Sequence, residues 1–360
     1  PVTLQSEPFA ERLFIIDGND PSAGLTEPNG AFERSVSSIT GIATDVGLGQ
    51  IANVQIAIST GLETRDWDGS QWVDRGANPL WLSVTALSPP FDSNSENWKR
   101  DTGLPAFEDG KAYELQIRVT EKSGRQFEFP ASGTTDFTID TSSPTASIVA
   151  PVVNAGIRTL PQLSGTAADP APGQNQSVQV AIRKLAGTPL WYDGAGFLVP
   201  GDAPNWILIQ DAVNGVLSSD ATSWAYVSDG LMDADFPGGF NYLVMTRSSD
   251  VAGNVQDAFT AGVSSRVIVI DKSAPQSVVS FPADDGDAVS GRYRSSVVGK
   301  TGNSTQLKGT SSDPSEGSAP SAGVSATSIW LSYLSSGDTY YWTGVTFSSW
   351  SVTAVTAWNR

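Results

Sequence analysis

Aspartates recur at matched positions along this 360-residue sequence and have the clearest potential for chemistry. The marker Ile-Asp-x-x-x-Pro occurs three times, and a Gly-x-x-x-Asp frame follows each marker. The aspartates of these motifs are Asp17, Asp45, Asp140, Asp169, Asp271 and Asp313. Because Ca²⁺ takes about six to eight oxygen ligands, they are candidate ligands for Ca²⁺, and no other cofactor is expected. The alternative interpretation is structural, since aspartate side chains also cap turns.

Aromatic side chains supply a second candidate site. The sequence has 11 tryptophans, and Trp72, Trp81 and Trp206 are the best candidates for exposed rings that stack on sugars. The alternative is packing in cores and hairpins, because tryptophans recur at equivalent places in each repeat and large aromatic residues dominate core energetics.

Composition excludes several kinds of chemistry. Without histidine or cysteine the sequence cannot form a Ser-His-Asp triad, a Cys-His nucleophile or an ordinary zinc site. Residues 141–271 contain no glutamate, so no acidic pair recurs that would support glycoside hydrolysis. We therefore expect no enzymatic activity. A net charge of −17 disfavours nucleic acid and anionic membranes as partners. No apolar run approaches the ~18 residues that membrane insertion needs.

Short alternating segments predict the elements that position these residues. Each Ile-Asp marker follows an apolar β-like run, so a strand is expected to end at the marker aspartate. Alternation of apolar and polar residues predicts half-buried strands, and Asp-Gly between aromatic residues predicts a hairpin. The strands are 54–58, 178–182 and 329–333, the hairpins are 67–72, 192–197 and 342–347, and Tyr113 and Tyr242 each enter a later strand.

About seven short strands in each unit, without a convincing amphipathic helix, predict an all-β fold of two-sheet antiparallel sandwiches. The markers are 123 and 131 residues apart, which fits one domain per interval. We expect 1–17 to be the terminal strand of a preceding or partner domain and 18–140 and 141–271 to be complete domains. Residues 272–360 are expected to form a third domain that is incomplete at its C-terminal end.

In their order and spacing these signatures resemble tandem bacterial immunoglobulin-like (Big-type) repeats of large exported surface and adhesin-like proteins. The matching motifs are the Ile-Asp-x-x-x-Pro marker, Ser164-Gly-Thr-Ala-Ala-Asp169, the aromatic hairpin and Asp250-Val-Ala-Gly-Asn254. The resemblance implies immunoglobulin-like β-sandwiches arranged as a rod, outside the cell or on its surface. The first repeat departs from the pattern with Glu121-Lys-Ser-Gly-Arg125, and the third departs with a long loop over 311–323.

The third unit is shorter than the others after its matched tryptophan. In the first two units 42 and 47 residues lead from Trp98 and Trp224 to the next marker aspartate, whereas only two residues follow Trp358. The preferred explanation is a segment of a longer array. The alternative is completion by a strand from a neighbouring chain, for which residues 11–16 are suitable.

The function expected from these features is structural: a semi-rigid stalk or fibre segment of a bacterial cell-surface or extracellular protein. Its expected partners are neighbouring immunoglobulin-like domains of the same long chain or of identical chains. Two alternatives stay open. One is a self-assembling filament or sheath subunit joined by strand exchange, and the other is a carbohydrate-binding module that uses exposed tryptophans on surface glycans.

Overall fold

The computed structural model describes residues 16–47, 49–61, 64–76, 78–130, 135–153, 156–210, 213–227, 236–281, 308–318, 320–329, 331–335, 338–342 and 347–348. Every regular element in these ranges is a β-strand, which confirms the all-β prediction. None of the described residues forms a helix long and apolar enough to cross a membrane. The proposed exchange strand, 11–16, lies outside the described residues except for Ile16. Three tryptophans of the third unit, Trp330, Trp350 and Trp358, also lie outside the described residues.

Strands β1 to β12 form the first sandwich. They are β1 (Ser22–Glu27), β2 (Phe32–Glu33), β3 (Ile39–Thr44), β4 (Ile51–Thr60), β5 (Arg65–Trp67), β6 (Trp72–Asp74), β7 (Leu82–Ser83), β8 (Thr85–Ala86), β9 (Ser95–Arg100), β10 (Ala112–Glu121), β11 (Gln126–Phe129) and β12 (Thr135–Ile139). One sheet has the order β1-β3-β9-β8. The other has the order β2-β12-β10-β4-β5-β6, with β11 paired to β10 and β7 paired to β4.

Strands β13 to β23 form the second sandwich. They are β13 (Thr145–Ala150), β14 (Gly156–Ile157), β15 (Leu163–Ala168), β16 (Asn175–Lys184), β17 (Leu190–Tyr192), β18 (Phe197–Pro200), β19 (Ile207–Leu208), β20 (Gly215–Leu217), β21 (Ser223–Tyr226), β22 (Phe240–Asp250) and β23 (Ser265–Ile270). One sheet has the order β13-β15-β21-β20. The other has the order β14-β23-β22-β16-β17-β18, with β19 paired to β16.

The two sandwiches share one topology. Each begins with a strand in the smaller sheet and then adds a two-residue strand parallel to the last strand of the larger sheet, β2 beside β12 and β14 beside β23. All other strand pairs in both sandwiches are antiparallel, as in β10 with β4 and β22 with β16. This arrangement of two facing sheets is an immunoglobulin-like sandwich, and it occurs twice in tandem.

Alternation along the central strands builds the two cores. In β10 every second side chain is buried, beginning with Tyr113. In β22 the inward side chains are apolar at Tyr242 and Val244 but polar toward the end of the strand, where Asp250 is fully buried. The alternation that fills each core therefore also carries an acidic side chain inward at one end of the sandwich.

A tryptophan lies over a glycine in each smaller sheet. Trp98 is directly opposite Gly41, and Trp224 is directly opposite Gly165. Both indoles are buried, and a β-carbon added at either glycine would overlap the indole ring. The glycine of the Gly-x-x-x-Asp frame is therefore required by packing, because only a residue without a side chain leaves room for the ring.

The predicted hairpins and tyrosines occupy equivalent places. The hairpins at 67–72 and 192–197 join β5 to β6 and β17 to β18. The Tyr113 hydroxyl accepts a hydrogen bond from the Glu108 amide at 3.0 Å, and the Tyr242 hydroxyl donates one to the Pro237 carbonyl at 2.9 Å. Each hydroxyl bonds the backbone five residues upstream, which is the tyrosine corner of immunoglobulin-like folds.

Five further strands follow Asp271. They are β24 (Gln276–Phe281), β25 (Lys308–Ser312), β26 (Ser332–Ser335), β27 (Asp338–Trp342) and β28 (Phe347–Ser348). β24 pairs with β25 as β13 pairs with β15, and β27 and β28 form the third predicted hairpin. The predicted C-terminal incompleteness of this unit concerns residues beyond the described ones.

Candidate metal centres

Three aspartates meet where the first sandwich ends and the second begins. Asp140 follows β12, Asp169 follows β15 and Asp250 is the last residue of β22. Each contributes a carboxylate oxygen to a group whose members all lie within 4.8 Å of one another. We call these three residues the second acid cluster.

Three of the six carboxylate oxygens of the second acid cluster lack a hydrogen-bond donor. Asp140 and Asp250 are fully buried, and Asp140 Oδ2 and both oxygens of Asp169 have no hydrogen-bond partner. The Asp140 Oδ1 atom does accept a bond from the Ser142 amide at 3.1 Å. Buried polar oxygens are nearly always hydrogen-bonded, so this group is exceptional and requires an explanation.

Asn254 holds the second acid cluster in place. Its side-chain nitrogen donates to the Asp140 carbonyl at 2.8 Å and to Asp250 Oδ2 at 2.9 Å. Its backbone amide donates to Asp250 Oδ1 at 2.7 Å. Asn254 therefore ties the end of the first sandwich to the last residue of β22, and it does so without bringing a positive charge.

A glycine keeps the space between the carboxylates open. A β-carbon added at Gly173 would overlap Asp169 Oδ2 and would lie 2.7 Å from Asp140 Oδ2. These two unpaired oxygens therefore face a common point beside the Gly173 backbone. The space can remain open only with glycine at this position.

Burial and mutual repulsion act on the ionisation of this group. Burial, together with the charges of Asp140 and Asp250, raises the pKa of Asp169 to about 6. Burial also raises the pKa of Asp140, against the hydrogen bond from the Ser142 amide. The protein therefore holds these carboxylates together at an electrostatic cost when no cation is bound.

The first acid cluster consists of Asp17, Asp45 and Glu121, whose ligand atoms also lie within 4.8 Å of one another. Asp45 is only 4% exposed, and neither of its carboxylate oxygens has a hydrogen-bond partner. Burial, then the charges of Asp17 and Glu121, raises the pKa of Asp45. A β-carbon at Gly49 would overlap Asp45 Oδ2 and lie 2.5 Å from Asp17 Oδ2, so the glycine has the same role as Gly173.

A guanidinium group distinguishes the first acid cluster from the second. Arg125 Nε donates to Glu121 Oε2 at 3.1 Å, and its terminal nitrogens reach Asp20 Oδ1 at 3.2 Å and the Asn19 carbonyl at 2.7 Å. Arg125 is four residues after Glu121, just as Asn254 is four residues after Asp250. One position in the turn is thus charged in the first sandwich and neutral in the second.

The third pair of predicted aspartates is satisfied differently. The Ser273 hydroxyl lies within hydrogen-bonding distance of both Asp271 and Asp313. The Ala322 amide donates to Asp271 at 2.5 Å, and the Gly323 amide donates to Asp313 at 2.8 Å. Hydrogen bonds from Ser273 and then Ala322 lower the pKa of Asp271. No third carboxylate completes this pair among the residues that the structure describes.

The structure thus brings the six predicted aspartates together two by two. It adds two acids, Glu121 and Asp250, that begin matched turn motifs but were not among the predicted metal ligands. Glu121 and Asp250 each end the long strand that begins at the tyrosine corner, and a register shift in the paired strand lies opposite each of them. Both acids continue the buried side of the alternation along their own strands. A usable signal was present, because each acid stands three residues before a glycine, Gly124 or Gly253, at matched places in the two repeats.

The three candidate stacking tryptophans are all partly covered. The Trp72 ring stacks on Tyr113 at 5.8 Å between ring centroids. Trp81 lies under the guanidinium of Arg118, and Trp206 lies under that of Arg247, at 4.3 Å in both cases. Trp206 also stacks on Phe259. Carbohydrate stacking by these rings stays a prediction.

Comparison with known proteins gives structural neighbours only. No protein-family model matches the chain. No curated protein sequence matches it significantly.

Several solved structures of tandem β-domains are similar to the chain. The fibronectin(III)-like modules of Clostridium thermocellum CbhA are 15% identical, with a TM-score of 0.34 over 69% of this chain and 94% of that one. The FN1-FN3 domains of chicken CNTN1 are 10% identical, with a TM-score of 0.27 over 64% and 65% of the two chains. Domains A168-A170 of titin are 13% identical, with a TM-score of 0.28 over 66% and 63%. The alignments span slightly less than two thirds of the CNTN1 and titin chains.

Proposed function

We propose that this chain is a structural segment of a large bacterial cell-surface or extracellular protein, in which consecutive sandwiches form a semi-rigid stalk or fibre. The observation that carries the proposal is the connection between the first and second sandwiches. Only five residues separate the end of β12 at Ile139 from the start of β13 at Thr145.

Asp140 is bonded to both sandwiches. Its amide donates to the Glu33 carbonyl of the first sandwich at 3.0 Å, and its own carbonyl accepts from Asn254 of the second at 2.8 Å. The next residue, Thr141, donates its amide to Asp109 of the first sandwich at 2.7 Å. A connection held by hydrogen bonds on both sides has few free backbone torsions, unlike a Gly/Ser linker, and this supports a semi-rigid arrangement.

The acidic surface and the absence of cysteine and histidine fit a role based on shape. A net charge of −17 favours solubility and mutual repulsion of neighbouring stalks. The extracellular location is carried by the resemblance to exported surface repeats. Binding of a receptor or surface is then the task of domains at the end of the stalk, and this segment provides reach.

Small-angle X-ray scattering of the full 360-residue chain tests the stalk proposal. We expect an extended particle with a narrow range of inter-domain distances. Insertion of about ten Gly/Ser residues after Ser142 should broaden that range, because the chain then behaves as a flexible coil. The same insertion in the hairpin at Gly194 is the matched control, and it should leave the range of inter-domain distances unchanged. Scattering from the unmodified chain as broad as that of the Ser142 insertion would overturn the proposal.

Location is tested separately. An antibody raised against the chain is expected to label intact cells of the source organism, and protease added outside those cells should remove the labelling. Labelling only after the cells are opened would contradict the proposed location.

A further inference from the structure

We infer that the second acid cluster is a binding site for Ca²⁺, whereas the first acid cluster carries its own cation, Arg125, and binds a metal more weakly. The inference rests on the proposed stalk function, because an ion held by Asp140, Asp169 and Asp250 would fasten the end of the first sandwich to the second. The two acid clusters share one geometry, but the inference gives them different affinities for a metal ion.

The unpaired oxygens provide the evidence for a ligand. Asp140 is fully buried, its Oδ2 has no partner, and this atom faces the same point beside Gly173 as the Asp169 Oδ2. Leaving buried carboxylate oxygens without a donor is costly. A cation at this point supplies the partner that the protein itself does not.

Charge balance leads to the same conclusion. Among the ion pairs of the described residues, none involves Asp140, Asp169 or Asp250. Three carboxylates within 4.8 Å of one another repel strongly where water is excluded. A divalent cation removes that repulsion, whereas the neutral Asn254 can only orient the group.

The ligand atoms determine which cation fits. All of the candidate donors are oxygens, which suit hard cations such as Ca²⁺, and the chain has no histidine or cysteine to favour softer metals. A cleft of about 810 Å³ opens beside Asp169 and is also lined by Asn175 and Asp220. The cleft gives a hydrated ion a path to the cluster and leaves room for water to complete its coordination.

Arg125 distinguishes the first cluster. Its guanidinium lies 3.1 Å from Glu121 and 3.2 Å from Asp20, so one positive charge is already present beside the acids. A second cation must overcome repulsion from this charge. We therefore expect Ca²⁺ to bind the second cluster at least about tenfold more tightly than the first.

Calorimetric titration of CaCl₂ into the full chain after treatment with EDTA tests the inference. The unmodified chain is expected to show one tight site. Asp169→Asn should remove that site, and Asn254→Arg should weaken it at least about tenfold by placing a guanidinium where the first cluster has one. Arg125→Asn should strengthen the weak site by a similar factor. Asp202→Asn is the matched control, because this acid is fully exposed in the second sandwich and its change should leave both sites intact.

The melting temperature of Asp169→Asn distinguishes the loss of a metal ligand from a general loss of folding. In EDTA the variant should melt at or above the temperature of the unmodified chain, because repulsion is relieved, and it should gain nothing from Ca²⁺. Absence of Ca²⁺ uptake by the unmodified chain at millimolar concentration would overturn the inference, while the scattering test of the stalk is unaffected. Two sites of equal affinity, or no change in either site for Arg125→Asn, would overturn the assigned difference between them.

Discussion

The two acid clusters occupy equivalent places in two sandwiches of the same topology, yet they balance their charge differently. Asp45 and Asp169 follow the second strand of the smaller sheet, and Glu121 and Asp250 end the long central strand of the larger one. A glycine keeps the space open in both, at Gly49 and at Gly173. The difference lies four residues beyond the strand end, where the first sandwich has arginine and the second has asparagine.

This comparison shows that the fold sets the geometry of an acidic pocket while one turn residue sets its charge. An exposed guanidinium gives the first pocket an internal counter-ion, with its side chain 41% accessible. Asn254 gives the second pocket hydrogen bonds alone. We therefore expect the two sandwiches to differ in cation dependence although they share one strand topology.

The largest expected effect is the difference in stability loss between substitutions of the two turn residues, Asn254 and Arg125. Asn254→Ala should lower the free energy of unfolding of the second sandwich by about 3 kcal/mol, because it removes hydrogen bonds to a buried carboxylate and to the Asp140 carbonyl. Arg125→Ala should cost the first sandwich less, about 1 kcal/mol, because the Arg125 side chain is 41% accessible even though its partner Glu121 is buried. Urea denaturation followed by pulsed hydrogen exchange of β22 and β10 measures each sandwich. Equal losses would show that the two turns are equivalent.

Calcium should raise the free energy of unfolding of the second sandwich more than that of the first, by a slightly smaller amount than the Asn254 effect. At a free Ca²⁺ concentration about a hundredfold above its dissociation constant, the second sandwich should gain about 2.7 kcal/mol, because the ion binds only the folded state. The first sandwich should gain less, and EDTA should reverse both gains. The same pulsed-exchange measurement checks this result. A gain confined to the first sandwich would reverse the comparison.

Closing the open space should weaken the second site by about 1.4 kcal/mol or more. Gly173→Ala is expected to reduce Ca²⁺ affinity at least about tenfold, because the new methyl group overlaps Asp169 Oδ2. The Gly173 backbone is outside the left-handed region, so the effect comes from the side chain and not from strain. Gly196→Ala is the control, since its β-carbon makes only an ordinary contact with Leu198. Calorimetric titration should show unchanged affinity for that control.

The smallest effect is a pH dependence of the metal-free chain. The pKa of Asp169 is raised to about 6 in the folded state, above its unfolded value, so the folded state binds the proton more tightly. The second sandwich should then become more stable as the pH falls from about 8 to about 5, because protonation relieves repulsion. Asp169→Asn should lack this gain. Thermal melts in EDTA across this range measure it, and a pH response identical to that of the variant would contradict the assignment.

Much of the architecture was predictable from local patterns. The Ile-Asp markers predict where β12 and β23 end, and the aromatic hairpins predict β5–β6 and β17–β18, because strand alternation and turn chemistry are properties of neighbouring residues. The pairing of Gly41 with Trp98 was harder to predict from the sequence, because it joins two strands that are far apart along the chain.

The composition of the clusters was only partly predictable. Asp140 and Asp169 are identified by repeated motifs, whereas Glu121 and Asp250 are different residue types. Both stand at the end of an alternating strand, where a polar residue is ordinarily interpreted as solvent-exposed. Their inward direction continues the alternation of β10 and β22, in which every second side chain is buried up to the last residue. The contrast between Arg125 and Asn254 gains meaning only after the acids are seen to surround one point.

The position of Asp140 has a consequence for where one repeat stops. Its amide belongs to the hydrogen bonds of the first sandwich and its carbonyl to those of the second, so adjacent modules overlap at this residue. A second sandwich produced alone must start ahead of Asp140 to keep its acid cluster. For the same reason, gain or loss of repeats during evolution preserves both neighbours only when recombination supplies an equivalent aspartate at the border.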